Sequence, residues 1–347
     1  TFHGFHHVET ARHYGSSERQ LGWALPDIPD PHRILQSKVP PRDDPKEFED
    51  LLSLTFERLG RDRLELLAIH GINQPRHLDL ALRSGGCLEV VRRWQKDGRI
   101  GHVGFSTHGP VDLIATACDS GAFDYVNLHW YYIRQDNGPA LTAARERDMG
   151  VFLISPTDKG GHLHSPSARL LELCEPLHPI VFNDLFCLSD PRVHTISIGA
   201  ARPSDLDRHL QALELLEQAP ELVSPIADRL QQGLSERLGE AWLQSWQEGL
   251  PSWNDTPGDI NLPVLLWLHN LLEAWDLESY ARARYRLLGS GGHWFAGSNA
   301  DALDAGVSIA ELDAVLHASP WRQQIPDILR SLKARLAGEA QMRLSSV

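Results

Sequence analysis

Short apolar runs rich in β-branched residues alternate with amphipathic stretches from the start of the chain to about residue 216. Seven of these runs are predicted strands, at residues 7–10, 34–38, 64–70, 102–106, 125–128, 150–155 and 193–198. Between them Phe48, Leu51, Leu52, Thr55 and Leu59 recur at helical spacing, as do Leu206, Leu210, Leu213 and Leu216. Strands that alternate with helices build βαβ units and a parallel sheet. The expected fold is α/β, a (β/α)8 TIM-type barrel one strand short of closure. The chain opens on Thr1 rather than methionine, so the first strand is expected to be the missing one.

Past Pro220 the alternation stops. Leu222, Ile226, Leu230, Leu234, Leu238, Trp242 and Trp246 recur every four residues. That spacing drifts by about 40° per step around a helix of 3.6 residues per turn, so a break is expected near Gly233 or Gly239. Residues 250–263 form a connection rich in Pro, Gly and Asp, and residues 264–275 are apolar almost all round, the mark of a buried helix. Residues 279–288 and 308–336 supply further helices. The expected organisation is a barrel over residues 1–219 and a helical C-terminal region over residues 220–347.

Composition narrows the function classes. Lys and Arg number 33 against 46 acidic residues, a formal charge of −13, which argues against a nucleic-acid binder. Cys87, Cys118, Cys174 and Cys187 lie far apart with no C-x-x-C pair, as expected of thiols in a reducing, cytoplasmic compartment. No run approaches the roughly 18 apolar residues of a membrane span. His3, His6, His7 and His13 straddle one strand and its loop without helical H-x-x-x-H spacing, so no metal site is expected there.

In a barrel of this type the chemistry sits where strands run into their following loops. Glu9, Lys38, His70, Ser106, Asn127 and Ser155 stand at six of the seven predicted exits. Glu9, Tyr14, Lys38 and His70 together supply the parts for hydride transfer to a carbonyl. A phenol is a poor proton donor near neutrality, an ammonium beside one favours the phenolate, and a carboxylate holds the ammonium charged. An imidazole can orient a carbonyl oxygen and share its developing charge. From the residues alone, other readings stay open: a loop tyrosine before a helix capped by Ser16 or Ser17, a structural Lys–Glu pair, a core histidine.

The stretch Glu9-Thr10-Ala11-Arg12-His13-Tyr14-Gly15-Ser16-Ser17-Glu18-Arg19-Gln20-Leu21-Gly22 resembles the aldo-keto reductase motif D-T-A-x-x-Y-G-x-x-E-x-x-L-G. Ser37-Lys38-Val39 is similar to that family's T-K-V, Leu66-Leu67-Ala68-Ile69-His70 to D-L-L-x-I-H, and residues 98–106 to G-K-I-R-x-I-G-V-S. Order and gaps agree over residues 1–216. The resemblance implies Tyr14 as general acid/base, Lys38 and Glu9 as its tuners and His70 as the substrate-orienting group. It also implies NADP(H) as cofactor and a small aldehyde or ketone as substrate. Ser106, Thr107 and Asn127 would hold the nicotinamide carboxamide, with Ser155 at the next strand exit among the cofactor contacts. Ser197-Ile198-Gly199-Ala200-Ala201-Arg202-Pro203-Ser204 resembles the family's I-P-G-A-x-S-P-x segment, which receives the adenosine phosphate. Free N–H groups at Gly199, Ala200 and Ala201, before a helix expected over residues 204–218, suit an anion, and the Arg202 fork suits a phosphate.

This chain departs from the pattern at three positions. Glu9 replaces an aspartate, Thr107 an asparagine, and Ile154 the aromatic ring that many members set against the nicotinamide. The helical tail is similar to that of a bacterial subgroup of aldo/keto reductases with a ferredoxin-like C-terminal region. Residues 256–263 resemble that region's C-P-x-G-I-x-I-P with Thr256 in place of the cysteine, and no cysteine follows Cys187. Iron–sulfur clusters need thiolate ligands, so none is expected, and the tail is read as a relic kept for packing or for contact with a protein partner. Asp158-Lys159, at a strand exit, is a candidate contact for phosphate or substrate. Two further readings remain beside the reductase: a cofactor-binding but non-catalytic redox-sensing or assembly subunit, and a lyase or isomerase using Lys38 as a Schiff-base amine. Trp130, Tyr131 and Tyr132 are expected to line a pocket or fill the core.

Overall fold

The computed structural model describes residues 4–28, 30–290, 295–303 and 305–339. Seven parallel strands in chain order form a nearly closed barrel: β1 (His7–Glu9), β2 (Ile34–Val39), β3 (Leu64–His70), β4 (Ile100–Ser106), β5 (Tyr125–Leu128), β6 (Gly150–Ile154) and β7 (Thr195–Ser197). All seven predicted strands are present, with ends displaced by at most two residues. The first and last strands meet through side chains, the Ser197 hydroxyl donating to Glu9 Oε2 at 2.8 Å.

Strand residues alternate between the two faces of a sheet, and the register decides which inward residues share a level. Gln36 stands beside Glu9 and Leu66, Lys38 beside Ala68, Ser106 beside His70 and Asn127. Gly104 stands beside Tyr125, whose ring occupies the space a side chain would need. A Cβ at Gly104 would lie 2.5 Å from that ring and from the Tyr125 carbonyl, so only glycine fits.

The helices around the strands follow from local sequence. Pro45–Leu59 starts where the Asp44 side chain accepts from the Lys46 N–H at 2.8 Å and stops at Gly60, which takes the left-handed conformation at φ 60°. It buries Phe48, Leu52, Phe56 and Leu59, each worth about 1.5–3 kcal/mol of transfer free energy.

The chain divides into two compact units. One takes in Thr1–Pro156 and Cys187–Arg202, the other Thr157–Phe186 and Pro203–Arg343. The second unit is helical. Its long helix Ala219–Leu238 runs through Gly233, which is buried, and ends at Gly239, so of the two expected break points the second is the one used. Leu262–Trp275 opens on Asn261, whose side chain accepts from the Val264 N–H at 3.1 Å, and buries residues on all sides, Leu265, Leu266, Leu268, Leu271 and Leu272 among them. Two indole N–H groups find buried acceptors: Trp242 donates to Asn270 at 2.7 Å and Trp275 to the Leu230 carbonyl at 3.1 Å. The stretch 308–336 is two helices, Ile309–Val315 and Ile325–Leu336, separated by a segment containing Pro320, which has no N–H for a helical bond. The expected helix over 204–218 also divides, into a 3-10 turn at Pro203–Leu206, an α-helix at Asp207–Glu214 and a second 3-10 turn at Leu216–Gln218. The α-helix thus starts three residues later than expected, after Leu206, which offers no side-chain acceptor.

Candidate active site

Tyr14 stands in the turn between β1 and the helix Ser17–Ala24, and its backbone is tied at both ends. The Arg12 N–H donates to the Lys38 carbonyl at 2.9 Å, the Tyr14 N–H to Ala11 at 3.0 Å and the Ser17 N–H to Tyr14 at 3.0 Å. Beneath the turn, Glu18 accepts from Arg12 and, at 2.9 Å, from the Ser37 hydroxyl, both contacts buried. Neither Ser16 nor Ser17 caps the helix by its side chain; the Ser17 hydroxyl instead accepts from Thr10 at 2.8 Å. The outcome is a phenol that is 41% exposed above a fully buried lysine.

Lys38 Nζ donates to Glu9 Oε1 at 2.5 Å and to the Tyr14 hydroxyl at 3.4 Å. It also sits 5.0 Å from the centroid of the Tyr14 ring. The His70 ring meets Tyr14 edge-on, with centroids 5.8 Å apart at 87°. The four residues singled out for chemistry thus come together at the strand exits. Burial alone would pull Lys38 down, but the Glu9 carboxylate and Tyr14 outweigh it and hold the ammonium above its ordinary pKa. Burial would likewise raise Glu9, yet the Lys38 charge and hydrogen bonds from Lys38 and Ser197 keep it below the usual carboxylate range. Both groups therefore stay ionised through neutral pH. The extra methylene of Glu9 does not stop it from reaching Lys38.

The second Glu9 oxygen opens a chain of amides. Asn127 Nδ2 donates to it at 3.0 Å, and Gln36 Nε2 donates to Asn127 Oδ1 at 2.7 Å. Gln36 Oε1 lies 2.9 Å from His7 Nε2, and burial holds that imidazole below its ordinary pKa. Gln36 and Ser197 were not singled out from the sequence. A polar residue on the inward parity of a strand, two places before Lys38 in one case, was the available signal.

The expected cofactor residues divide. Ser106 is buried and accepts from the Gly71 N–H at 3.1 Å through its hydroxyl oxygen, which keeps its own proton to donate. Thr107 donates its hydroxyl to the Ile72 carbonyl at 2.6 Å, and the Asn127 amide is engaged by Glu9 and Gln36. Both side chains thus have protein partners in this structure. Ser155 stands past the end of β6 at φ 54°, held there by a 3.0 Å bond from its N–H to the Ser197 carbonyl. Gly199, Ala200, Ala201 and Arg202 form an exposed stretch leading from β7 into the 3-10 turn. Ile154 is buried. Trp130 and Tyr131 are core residues, Tyr131 donating its hydroxyl to the Ile154 carbonyl.

Of the histidines first weighed as metal ligands, His3 lies outside the described residues, His6 pairs with Asp30 at 2.9 Å and His7 with Gln36. No group of three or more His, Cys, Asp or Glu residues suited to a metal occurs among the described residues. No helix among them is long and apolar enough to cross a membrane.

Solved structures to which this chain is similar include aldo-keto reductases. The holo form of aldo-keto reductase AKR11C1 from Bacillus halodurans aligns over 66% of this chain and 83% of its own, at 18% identity and a TM-score of 0.56. The thermostable aldo-keto reductase Tm1743, in complex with the inhibitor epalrestat, aligns over 64% and 82%, at 21% identity and a TM-score of 0.53. What is shared is the fold. No protein-family model and no curated protein matches the sequence. In the second unit, Thr256 places its hydroxyl 2.6 and 2.7 Å from the carbonyls of Trp253 and Ile260, so it fastens its own loop.

Proposed function

We propose that the chain is an oxidoreductase that moves a hydride between NADP(H) and the carbonyl carbon of a small aldehyde or ketone. One observation carries the reading: a buried ammonium within reach of both a carboxylate and the hydroxyl of a half-exposed tyrosine, at the C-terminal ends of parallel barrel strands. The aldo-keto reductase fold of the solved structures supports it.

The residues present fit the cofactor at both ends. Ser106 retains a donor for a carboxamide oxygen, and Arg202 presents an exposed planar fork for a phosphate. The nicotinamide, when bound, supplies or takes up the hydride. Everything else is done by the protein. Tyr14 gives its proton to the carbonyl oxygen as negative charge develops there, or removes it in the reverse direction. Lys38 stabilises the phenolate left behind, because its charge lies beside the hydroxyl and costs no reorganisation. Glu9 keeps that charge in place, Asn127 and Ser197 orient Glu9, and His70 bounds the substrate oxygen from the side. Arg202 and the usual habit of such barrels favour NADP(H) over NAD(H).

The decisive measurement is a fluorescence titration with NADPH and NADH, paired with a carbonyl panel for the wild type and Tyr14→Phe. NADPH should bind, and removing the hydroxyl should lower kcat by about 10²–10⁴-fold with little change in cofactor affinity. Failure of both nucleotides to bind overturns the proposal. Tight binding with no turnover, and no effect of Tyr14→Phe, would establish the non-catalytic alternative instead.

A further inference from the structure

The helical unit holds a second cluster of reactive side chains that the reductase reading leaves unused. His162 Nδ1 lies 3.0 Å from Ser279 Oγ, and His162 Nε2 lies 3.4 Å from Asp158 Oδ1. The other Asp158 oxygen accepts from Arg284 Nη2 at 3.0 Å. Tyr280 meets the His162 ring edge-on, with centroids 5.4 Å apart at 85°, and its hydroxyl donates to the Lys159 carbonyl at 2.9 Å. The imidazole is thus fixed from three sides. Its backbone is in the left-handed region at φ 56°, a conformation that costs free energy for a residue with a Cβ and persists where surroundings impose it.

A carboxylate facing Nε2 draws the ring proton to that nitrogen. The lone pair of Nδ1 is then directed at Ser279, whose hydroxyl donates to it. Burial chiefly, with help from Arg284 and against Asp158, holds His162 below its ordinary pKa. Such a ring is neutral near pH 7, the state a general base requires.

Ser279 is the second residue of the helix Glu278–Tyr285. Leu277 before it offers no side-chain cap, and the first intrahelical bond runs from the Ala281 N–H to the Leu277 carbonyl at 2.8 Å. The N–H groups of Glu278 and Ser279 precede that bond, among the donors that the geometry of a helix start leaves without an intrahelical acceptor. Oxygen charge developing beside Ser279 would meet them, at the positive end of the helix dipole. A cavity of about 450 Å³ opens here, lined by His162, Glu278, Ser279, Arg282 and Ala283. That volume suits a small organic molecule.

We propose that Ser279 and His162, oriented by Asp158, form an acyl-transfer site that hydrolyses small carboxylic esters. Ser279 Oγ bonds to the acyl carbon while its proton passes to His162 Nδ1, and the carbonyl electron pair moves onto oxygen. Re-forming the C=O breaks the bond to the leaving oxygen, which departs as an alcohol with the proton from Nδ1. Water then gives a proton to Nδ1 and its oxygen to the acyl carbon. Breaking the Ser279–acyl bond releases the acid and returns the proton to Ser279. Ester and water become acid and alcohol, with no oxidation or reduction. Asp158 acts only through the ring, as a positioning residue.

The test uses the full chain with p-nitrophenyl acetate and a fluorophosphonate probe, the labelled residue being mapped by peptide mass spectrometry. Expected results are a label on Ser279 and at least a roughly 100-fold loss of hydrolysis in Ser279→Ala and in His162→Gln. Ser279→Ala should leave carbonyl reduction unchanged, and Tyr14→Phe should leave hydrolysis unchanged, which separates this site from the one in the barrel. The charged groups around the ring are Asp158, Arg284, Glu278 and Arg282. Asp158→Asn removes the carboxylate facing Nε2 and should lower the acid midpoint of the pH–rate profile, which a purely structural aspartate would not move. A probe that labels residues other than Ser279, or hydrolysis that survives Ser279→Ala intact, overturns the proposal.

Discussion

Two adjoining groups of barrel side chains, the exit network and the floor, handle buried polar atoms in opposite ways. At the exit level, Glu9, Lys38, Asn127 and Ser197 join in one network in which each charged or amide group has a stated partner. Next to it, Leu66, Ala68, Tyr125 and Phe152 pack as a floor without charge, and the buried Tyr125 hydroxyl has no hydrogen-bond partner among the described residues. Neighbouring strands supply both: Asn127 stands two residues beyond Tyr125, and Lys38 stands beside Ala68. Successive inward positions on a strand lie only about 7 Å apart. The polarity of the interior therefore changes between adjoining side chains of the same sheet.

Removing the cation at the exit level should give the largest effect. Lys38→Met leaves the Glu9 carboxylate in a largely buried place without its partner, a change that costs about 3–5 kcal/mol in comparable sites. The midpoint of urea unfolding reads it. Adding Glu9→Gln removes the stranded charge and should restore much of the loss; a double variant as unstable as the single one would show that the pair is not its source. The pH dependence gives a second readout. Glu9 is held below its ordinary 4.5, so its contribution is complete above that pH and is lost as pH falls through the lower folded value. Lys38 is held above its ordinary 10.5, so its contribution is complete below that pH and is lost as pH rises through the higher folded value. The double variant should lack both slopes.

The two groups were not equally legible in the sequence. Residues such as Lys38 and His70 announce themselves because a titratable side chain stands where a predicted strand ends. The strands themselves were legible for the same reason, since apolar runs of this length have few other uses. Alternation tells which face a residue takes but not whom it meets there. Hence nothing in the pattern reports that the Asn127 amide spans Glu9 and Gln36, residues 118 and 91 positions away. Asp158, His162 and Ser279 were harder still: 117 positions separate the histidine from the serine, and no periodicity reports a meeting of a loop with a helix start. The 3-10 turn at Pro203–Leu206 was not legible because the leucine spacing over 206–216 reads as one continuous helix.

The floor can be challenged by adding volume. Gly104→Ala places a Cβ 2.5 Å from the Tyr125 ring and from the Tyr125 carbonyl, and the carbonyl belongs to the neighbouring strand and cannot swing away. A loss of about 1–3 kcal/mol is expected from such overpacking. Gly199→Ala is the control, because a Cβ there meets nothing within 4 Å. Equal midpoints for the two variants would mean that the Tyr125 ring is not held against β4.

The smallest expected change has the opposite sign. Tyr125→Phe deletes a hydroxyl that loses its water on folding and gains no partner in exchange, while the ring keeps its stacking on Phe152 at 4.9 Å. An unpaired buried hydroxyl costs about 1–3 kcal/mol, and relaxation around it recovers some of that, so a gain near 1 kcal/mol is expected. The direction should sharpen with pH. Burial first, then the charges of Glu9 and Asp124, push the Tyr125 phenol well above its ordinary 10.0. Above that pH the unfolded chain releases a proton that the folded chain retains, so the wild type loses stability as pH rises. Phenylalanine has no proton to release, and the advantage of the variant should grow between pH 8 and pH 11. A lower midpoint for Tyr125→Phe at both values would show that the hydroxyl is satisfied after all, and the contrast between floor and exit level would then rest on charge alone.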